Sequence, residues 1–437
     1  MTATALSGRK YSEYPEYKDS GVEWLGMVPK DWKIGKLKNV LRIRNGKDYK
    51  HVEVQNGGYP VYGSGGEFKR SSSYLHDGIS VLFGRKGTVD KPLIIKGKFW
   101  TVDTMFYSVI FENSIAEYIH GQAILFPYDL LSTNTALPSM TQEDLLQLGF
   151  VIPSVEEQQK IANFLDHETA RIDTLIAKQE KLIELLKEKR QAVISHAVTR
   201  GLNPDALMKD TGVEWLGEVP KHWDKVVFRH FIKTRKGVAF STSDFCDSGV
   251  RVVKASDIKK LSLRKSDIFL PERFVNKYPK AFLKQSDIIL STVGSAAEVK
   301  NSAVGQIAMV PQELDSTLLN QNTVVFDSDN NIIHKNFIFF LLQTTAYRDH
   351  LDLHAHGTAN QASLNVTDML DFRCVIPSIE EQKDIAEYLY DFIVRVVKLE
   401  AKATDAIDLM KERKTALISA AVTGKIDVRD WNINNDQ

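Results

Sequence analysis

Along residues 151–199 apolar side chains return every three or four positions: Ile161, Leu165, Ile172, Leu175, Leu182, Leu186 and Val193, broken by Glu168, Gln179, Lys189 and His196. That spacing draws one apolar face on a helix. The pattern recurs in residues 375–423, with Ile385, Leu389, Phe392, Val396, Leu399, Ala403, Ala406, Met410, Leu417 and Ala420 on the face and Arg413 as a charged rung. About half of the aligned positions are identical, and no gap is needed. Each copy opens on Pro-Ser, Pro153-Ser154 or Pro377-Ser378, with a glutamate three residues after the serine, Glu157 or Glu381. This S-x-x-E spacing predicts a capping box: the hydroxyl accepts from a free N–H and the glutamate reaches back to the cap. Neither copy holds Gly or Pro after its cap, and Gly201 and Gly424 stand where each helix should stop. At about 1.5 Å per residue each helix would be roughly 65 Å long, and so long a stripe wants a partner helix. The simplest partner for one copy is the other.

A second repeat precedes each helix. Lys18–Trp32 reads KDSGVEWLGMVPKDW and Lys209–Trp223 reads KDTGVEWLGEVPKHW. Trp24, Trp32, Trp215 and Trp223 are expected to be packing residues in a compact lead-in. The chain is therefore built twice, as lead-in, insert and helix. The expected boundaries are an extension (1–17), a first domain (18–150), a first helix (151–204), a second domain (205–374), a second helix (375–428) and a tail (429–437). The inserts share little sequence, so one frame presents two different surfaces. Antiparallel pairing of the helices would relate the halves by a pseudo-twofold axis.

Both inserts read as mixed α/β. In the first, Ser80–Phe83, Leu93–Ile95 and Phe106–Phe111 are strand candidates; in the second, Val250–Val253, Ile288–Val293 and Thr323–Phe326. Asn336–Tyr347 predicts one buried helix.

Charge narrows the chemistry. Lys plus Arg and Asp plus Glu are 56 each, so any surface for nucleic acid must be local. Two cysteines, Cys246 and Cys374, fit a reducing compartment without a disulfide framework. The first residues lack an apolar leader and no apolar run approaches the roughly 18 residues of a membrane span, so the cytoplasm is the expected compartment. The sequence carries no G-x-x-x-x-G-K-[ST] loop, no G-x-G-x-x-G opening a helix, and no Asn/Asp-Pro-Pro-aromatic methyltransferase signature. His350, His354 and His356 have metal-like spacing but no catalytic partner glutamate, and no metal site is expected from them.

What remains is basic and local. Lys33–Lys50 holds Arg42, Arg44 and Lys47 among seven cations against one Asp. Tyr62–Gly66 reads as a flexible loop leading to Lys69 and Arg70, and Arg85 and Lys86 lie between glycines. The second insert clusters Arg251, Lys254, Lys259, Lys260, Arg264 and Lys265, and later carries Asn360 and Gln361 in a run of small and amide residues. Phosphates are held by Lys and Arg, and base edges are read by Arg, Lys, Asn and Gln, so these are the candidate DNA-binding residues.

The frame resembles the specificity (S) subunits of type I restriction–modification systems. The carriers are Gly26-Met-Val-Pro-Lys-Asp-Trp32 and Gly217-Glu-Val-Pro-Lys-His-Trp223, then Pro153–Ala162 and Pro377–Ala386 with their P-x-x-E-Q-x-x-I-A pattern. Ser64-Gly65-Gly66, Gly84–Gly87 and Gly357–Gln361 are similar to loops common in such domains. The resemblance implies two target recognition domains, each reading half of a split double-stranded DNA target, joined by an antiparallel coiled coil that sets the spacer. It implies two modification methyltransferase subunits as partners, bringing S-adenosylmethionine and adenine N6 methylation. Two restriction subunits, where present, would add ATP/Mg-driven translocation and cleavage. This chain would bind none of those cofactors and catalyse nothing. A self-contained methyltransferase or nuclease, and a coiled-coil scaffold without DNA, are the alternatives.

Overall fold

The computed structural model describes residues 11–132, 138–213, 215–259, 261–294, 304–358 and 361–432. The chain divides into two compact units, residues 1–180 with 404–437, and residues 181–403. The two repeats form single helices, α1 (Val155–Arg200) and α2 (Ile379–Val422). Each unit therefore holds the first part of one helix and the last part of the other.

In the first unit Asp173 of α1 bonds Lys414 of α2 at 2.7 Å, while Leu165 and Val422 both face Gly121. Numbers rise on one helix as they fall on the other, so the two segments run antiparallel there. In the second unit Ile194, Ala197 and Val198 share a core with Ile385, Ala386 and Leu389. Most positions of the expected apolar face are buried or half-buried, and it departs from heptad spacing locally. Leu175, Leu182 and Leu399 are 49%, 43% and 50% exposed. Ile176, Ile183 and Glu400 are half-buried and Ile407 is buried, each one position later, so the stripe slips by one residue at matching places in both copies. A straight helix lags a seven-residue repeat by about 20° per heptad, and one 4-4 step restores the face.

Each insert starts and ends in one two-stranded ribbon. Lys33–Lys36 pairs antiparallel with Gly149–Ile152, and Asp224–Val227 with Arg373–Ile376. In the first unit the insert forms β1 (Leu41–Asn45), β2 (Glu53–Val54), β3 (Tyr59–Gly63), β4 (Gly66–Ser71), β5 (His76–Gly84), β6 (Leu93–Thr101) and β7 (Met105–Ile110). They make one sheet in the order β1-β7-β5-β6-β3-β4-β2, with β3 and β6 the parallel pair. In the second unit β8 (Ile232–Lys236), β10 (Ile288–Ser291), β11 (Ile307–Met309) and β13 (Thr323–Ser328) form a sheet ordered β8-β13-β10-β11. Beside it β9 (Val250–Val253) runs parallel to β12 (Leu318–Leu319). Each strand candidate in both inserts overlaps one of these elements, with Phe111, Thr292 and Val293 beyond the strand ends. Asn336–Tyr347 does not form one helix. It splits into Lys335–Leu341 and Thr345–Leu353, because the Thr344 hydroxyl donates to the Leu341 carbonyl (2.7 Å) and accepts from the Tyr347 N–H (3.3 Å). A threonine that caps locally competes with a continuous helix.

The lead-ins are packing elements. Trp32 and Trp223 are fully buried, Trp24 meets Phe126 edge-on, and Trp215 stacks on Phe372. The capping serines accept from the N–H of Glu157 and Glu381, at 3.2 and 3.3 Å. The glutamates do not reach back as a capping box requires. Glu157 accepts from the Trp32 indole (3.0 Å) and the Tyr14 hydroxyl (2.7 Å); Glu381 accepts from the Trp223 indole (3.1 Å) and bonds His222 (2.9 Å). A buried indole N–H without a partner would cost more than the cap contact gains. The neighbouring glutamine ties the insert down. The Gln158 amide bonds the Pro153 carbonyl and the Ile115 N–H, and Gln382 bonds the Pro377 and Ile332 carbonyls and the His334 N–H. The Glu-Gln pair is thus the joint of lead-in, helix and insert in each unit.

Glu157→Ala leaves the buried Trp32 N–H unpaired and should lower stability by about 1–3 kcal/mol, whereas Glu157→Gln retains an acceptor and should lose less. Urea unfolding followed by tryptophan fluorescence checks the ranking; equal midpoints for Glu157→Ala and the parent would contradict it.

Candidate nucleic-acid interface

The two inserts share a backbone seam that their sequences hide. In the first unit the turn between β6 and β7 collects its neighbours. The Gly46 N–H bonds the Met105 carbonyl, Lys47 N–H bonds Thr101, Val102 N–H bonds Tyr62, Arg85 N–H bonds Thr104, and Met140 N–H bonds Arg85. In the second unit Gly237 bonds Thr323, Val238 bonds Leu319, Asn320 bonds Val253, Thr292 bonds Asn322, and Leu364 bonds Thr292, in the same order. All ten bonds are 2.8–3.1 Å long. The glycines are required by contact. A Cβ on Gly46 would lie 1.9 Å from the Val102 carbonyl oxygen, and one on Gly237 would lie 1.9 Å from that of Asn320. Five insert segments thus converge in each unit, with side chains free to differ.

The seam sorts the candidate cations. Lys47, Arg85 and Lys86 come together in the first unit; Lys47 and Lys86 are exposed, while Arg85 bonds the Asp103 carbonyl at 3.3 Å. Arg42 and Arg44 point outward from β1, and Arg42 lies over the Phe111 ring. Lys69 and Arg70 are not on a flexible loop. Tyr62–Gly66 is the end of a β3–β4 hairpin, and the two cations sit on β4. Glu53 hydrogen-bonds Lys69 at 2.6 Å and raises its pKa, and Arg70 pairs with Glu67 at 3.4 Å. Sequence proximity could not show that these cations are already partnered.

In the second unit, among the described residues of the basic run, only Lys254 lies at the seam, one residue after the Val253 carbonyl that Asn320 binds. Arg251 pairs with Asp267 and lies over Phe269. Lys259, Arg264 and Lys265 belong to or follow the hairpin Ile258–Lys259/Ser262–Leu263, whose turn bridges to Ala308 on β11 rather than to the seam. Lys260 and Asn360 lie outside the described residues, as does the side chain of Gln361, whose backbone belongs to the strand Gln361–Ser363. Arg235, at the position of Arg44, is locked by Asp327 (2.6 Å) and Asp287 (2.8 Å) and serves the fold. Sequence reasoning missed the seam itself. Its one signal was Arg44-Asn45-Gly46 against Arg235-Lys236-Gly237, held at the same offset as the lead-ins.

Among the described residues no three His, Cys, Asp or Glu side chains converge as metal ligands. His350 bonds the Asp368 carbonyl and His354 bonds the His350 carbonyl, both at 2.7 Å, and burial lowers the His350 pKa. Among them also, no helix is long and apolar enough to cross a membrane.

The sequence profile described as "Type I restriction modification DNA specificity domain" matches residues 29–185 and 220–409. The chain belongs to that family. The two matched segments are the two repeats, each running from the end of a lead-in into a long helix. Over 93% of its length the chain is 24% identical to the type I restriction enzyme MjaVIII specificity subunit of Methanocaldococcus jannaschii, 95% of which is covered. It is 22% identical to the EcoBI specificity subunit of Escherichia coli, over 68% of this chain and 62% of that one. A chain solved under the description "Structural basis underlying complex assembly and conformational transition of the type I R-M system" superposes over 90% of this chain and 98% of its own, with TM-score 0.68 and 13% identity. That last likeness is one of fold.

The seam generates a direct comparison. Replacing Lys47, Arg85 and Lys86 by Ala should weaken duplex DNA binding and flatten its salt dependence by about 0.9 log–log units per lost phosphate contact. Replacing the ion-paired Lys69 and Arg70 should change the slope less. Titrations at several salt concentrations decide; the reverse ranking would mean that β4, not the seam, faces DNA.

Proposed function

We propose that this chain is the DNA-recognition subunit of a type I restriction–modification complex, each unit reading one half of a bipartite double-stranded target. The observation that carries this is the repeated seam: one backbone arrangement, built twice, with different side chains in each copy. Two such surfaces in one chain suit two different half-sites. The long helices form an antiparallel coiled coil that sets the gap between half-sites and docks two methyltransferase subunits. A pseudo-twofold subunit lets two identical methyltransferases meet adenines on opposite strands.

The chain itself is not catalytic in this reading. S-adenosylmethionine belongs to the methyltransferase partners, and ATP with Mg to restriction subunits where these join. In support, the sequence carries neither a P-loop nor an amino-methyltransferase signature. Work on chromosomal DNA places the complex in the cytoplasm.

Helix length then fixes the spacer. Deleting Gln179–Leu185 together with Ala403–Leu409 keeps both stripes in phase, since Ile176 is then followed by Leu186 and Glu400 by Met410 at the old spacing. The pair shortens by about 10 Å, or roughly three base pairs at about 3.4 Å each. Methylation of a library with fixed half-sites and varied spacers should shift its preference by that amount, with lower activity because one half-site also turns around the DNA axis. An active deletion variant that still prefers the parent spacer would mean that the helices are not the ruler.

A further inference from the structure

The seam of the second unit ends on a turn whose composition its fold does not explain. Asn320, Gln321 and Asn322 are pinned through their backbone. The Asn320 N–H bonds the Val253 carbonyl (2.9 Å), the Asn320 carbonyl accepts from the Thr323 hydroxyl (2.6 Å), and the Asn322 carbonyl accepts from the Thr292 N–H (2.9 Å). The Asn320 carbonyl also fills the space that a Gly237 side chain would need. Yet none of the three carboxamides bonds another described residue. Gln321 is exposed, and its two neighbours are half-buried.

The first unit makes the same turn with Val102, Asp103 and Thr104, keeping the equivalent backbone bonds to Tyr62 and Arg85. The backbone therefore does not require amides. A rigid turn with unpartnered carboxamides is a preorganised donor–acceptor surface. Asn and Gln pair in bidentate fashion with N6 and N7 of adenine in the major groove. Lys254, next to Val253, supplies a cation beside the turn for a phosphate.

We infer that the turn Asn320-Gln321-Asn322 reads base edges in the half-site of the second unit, with Gln321 set against an adenine. This rests on the proposed DNA-recognition function and names its reading residue. The first unit, with Asp103 at the tip of its turn, reads a different base there.

The test uses the full chain with its methyltransferase partners and a panel of duplexes carrying each single base-pair change in both half-sites, at fixed salt. The parent complex should discriminate at defined pairs by about tenfold or more. Gln321→Ala should reduce discrimination to about twofold or less at one A·T pair, or two adjacent ones, of one half-site only. The other half-site and the salt slope should be unchanged. Gln321→Glu should move the preference at that pair toward cytosine, whose N4 amine donates to a carboxylate. Both changes sit on an exposed side chain, so both variants should melt with the parent. Unchanged discrimination at every pair in both variants would overturn the inference and leave the DNA-recognition reading standing. A parent complex that distinguishes no sequence would overturn that reading itself.

Discussion

A carbonyl oxygen pressed against a glycine shapes both recognition units. Where Gly46 meets Val102, and Gly237 meets Asn320, no side chain fits, because its first carbon would sit 1.9 Å from the oxygen. That contact brings the end of β1 or β8 onto the turn that precedes β7 or β13. The five backbone bonds around it then tie five segments together without using a side chain. A seam built from main chain tolerates change at its surface. This is how two inserts with little common sequence hold one arrangement, and why residues at the seam are free to serve recognition.

The frame around the seam was legible in the sequence because its work is done by side chains. Trp32 and Trp223 are buried with their indoles on Glu157 and Glu381, and Gln158 and Gln382 each hold the insert by backbone groups. Those jobs allow few residue types, so the repeats stayed visible. The glutamates are the exception, since they bond the indoles rather than the cap. Spacing alone suggests a capping box, and only the fold brings an indole within reach. The helical stripe is legible as well, and most of its positions are buried or half-buried; only Leu175, Leu182 and Leu399 stand one residue off the face, where a straight helix falls out of step with a heptad.

Less of the site was legible. Cations were found by counting, and counting does not see ion pairs. Lys69 and Arg70 lie on β4, paired with Glu53 of β2 and Glu67, and Lys259, Arg264 and Lys265 in the second insert belong to or follow a hairpin that bridges to β11. Lys47, Arg85, Lys86 and Lys254 do sit at the seam, for a reason the sequence shows only through a glycine at matched positions. The consequence is asymmetry. The first unit's seam is rich in cations and the second's in carboxamides, on the same backbone.

The account's central claim is that two different surfaces on one chain specify one split target. Mapping N6-methyladenine across the genome of a host with this chain and of the same host without it tests that most directly. The account predicts a modified motif of two short defined blocks separated by a constant undefined gap, one modified adenine in each block on opposite strands, lost when the chain is removed. A single contiguous motif, or modification that persists without the chain, would contradict it.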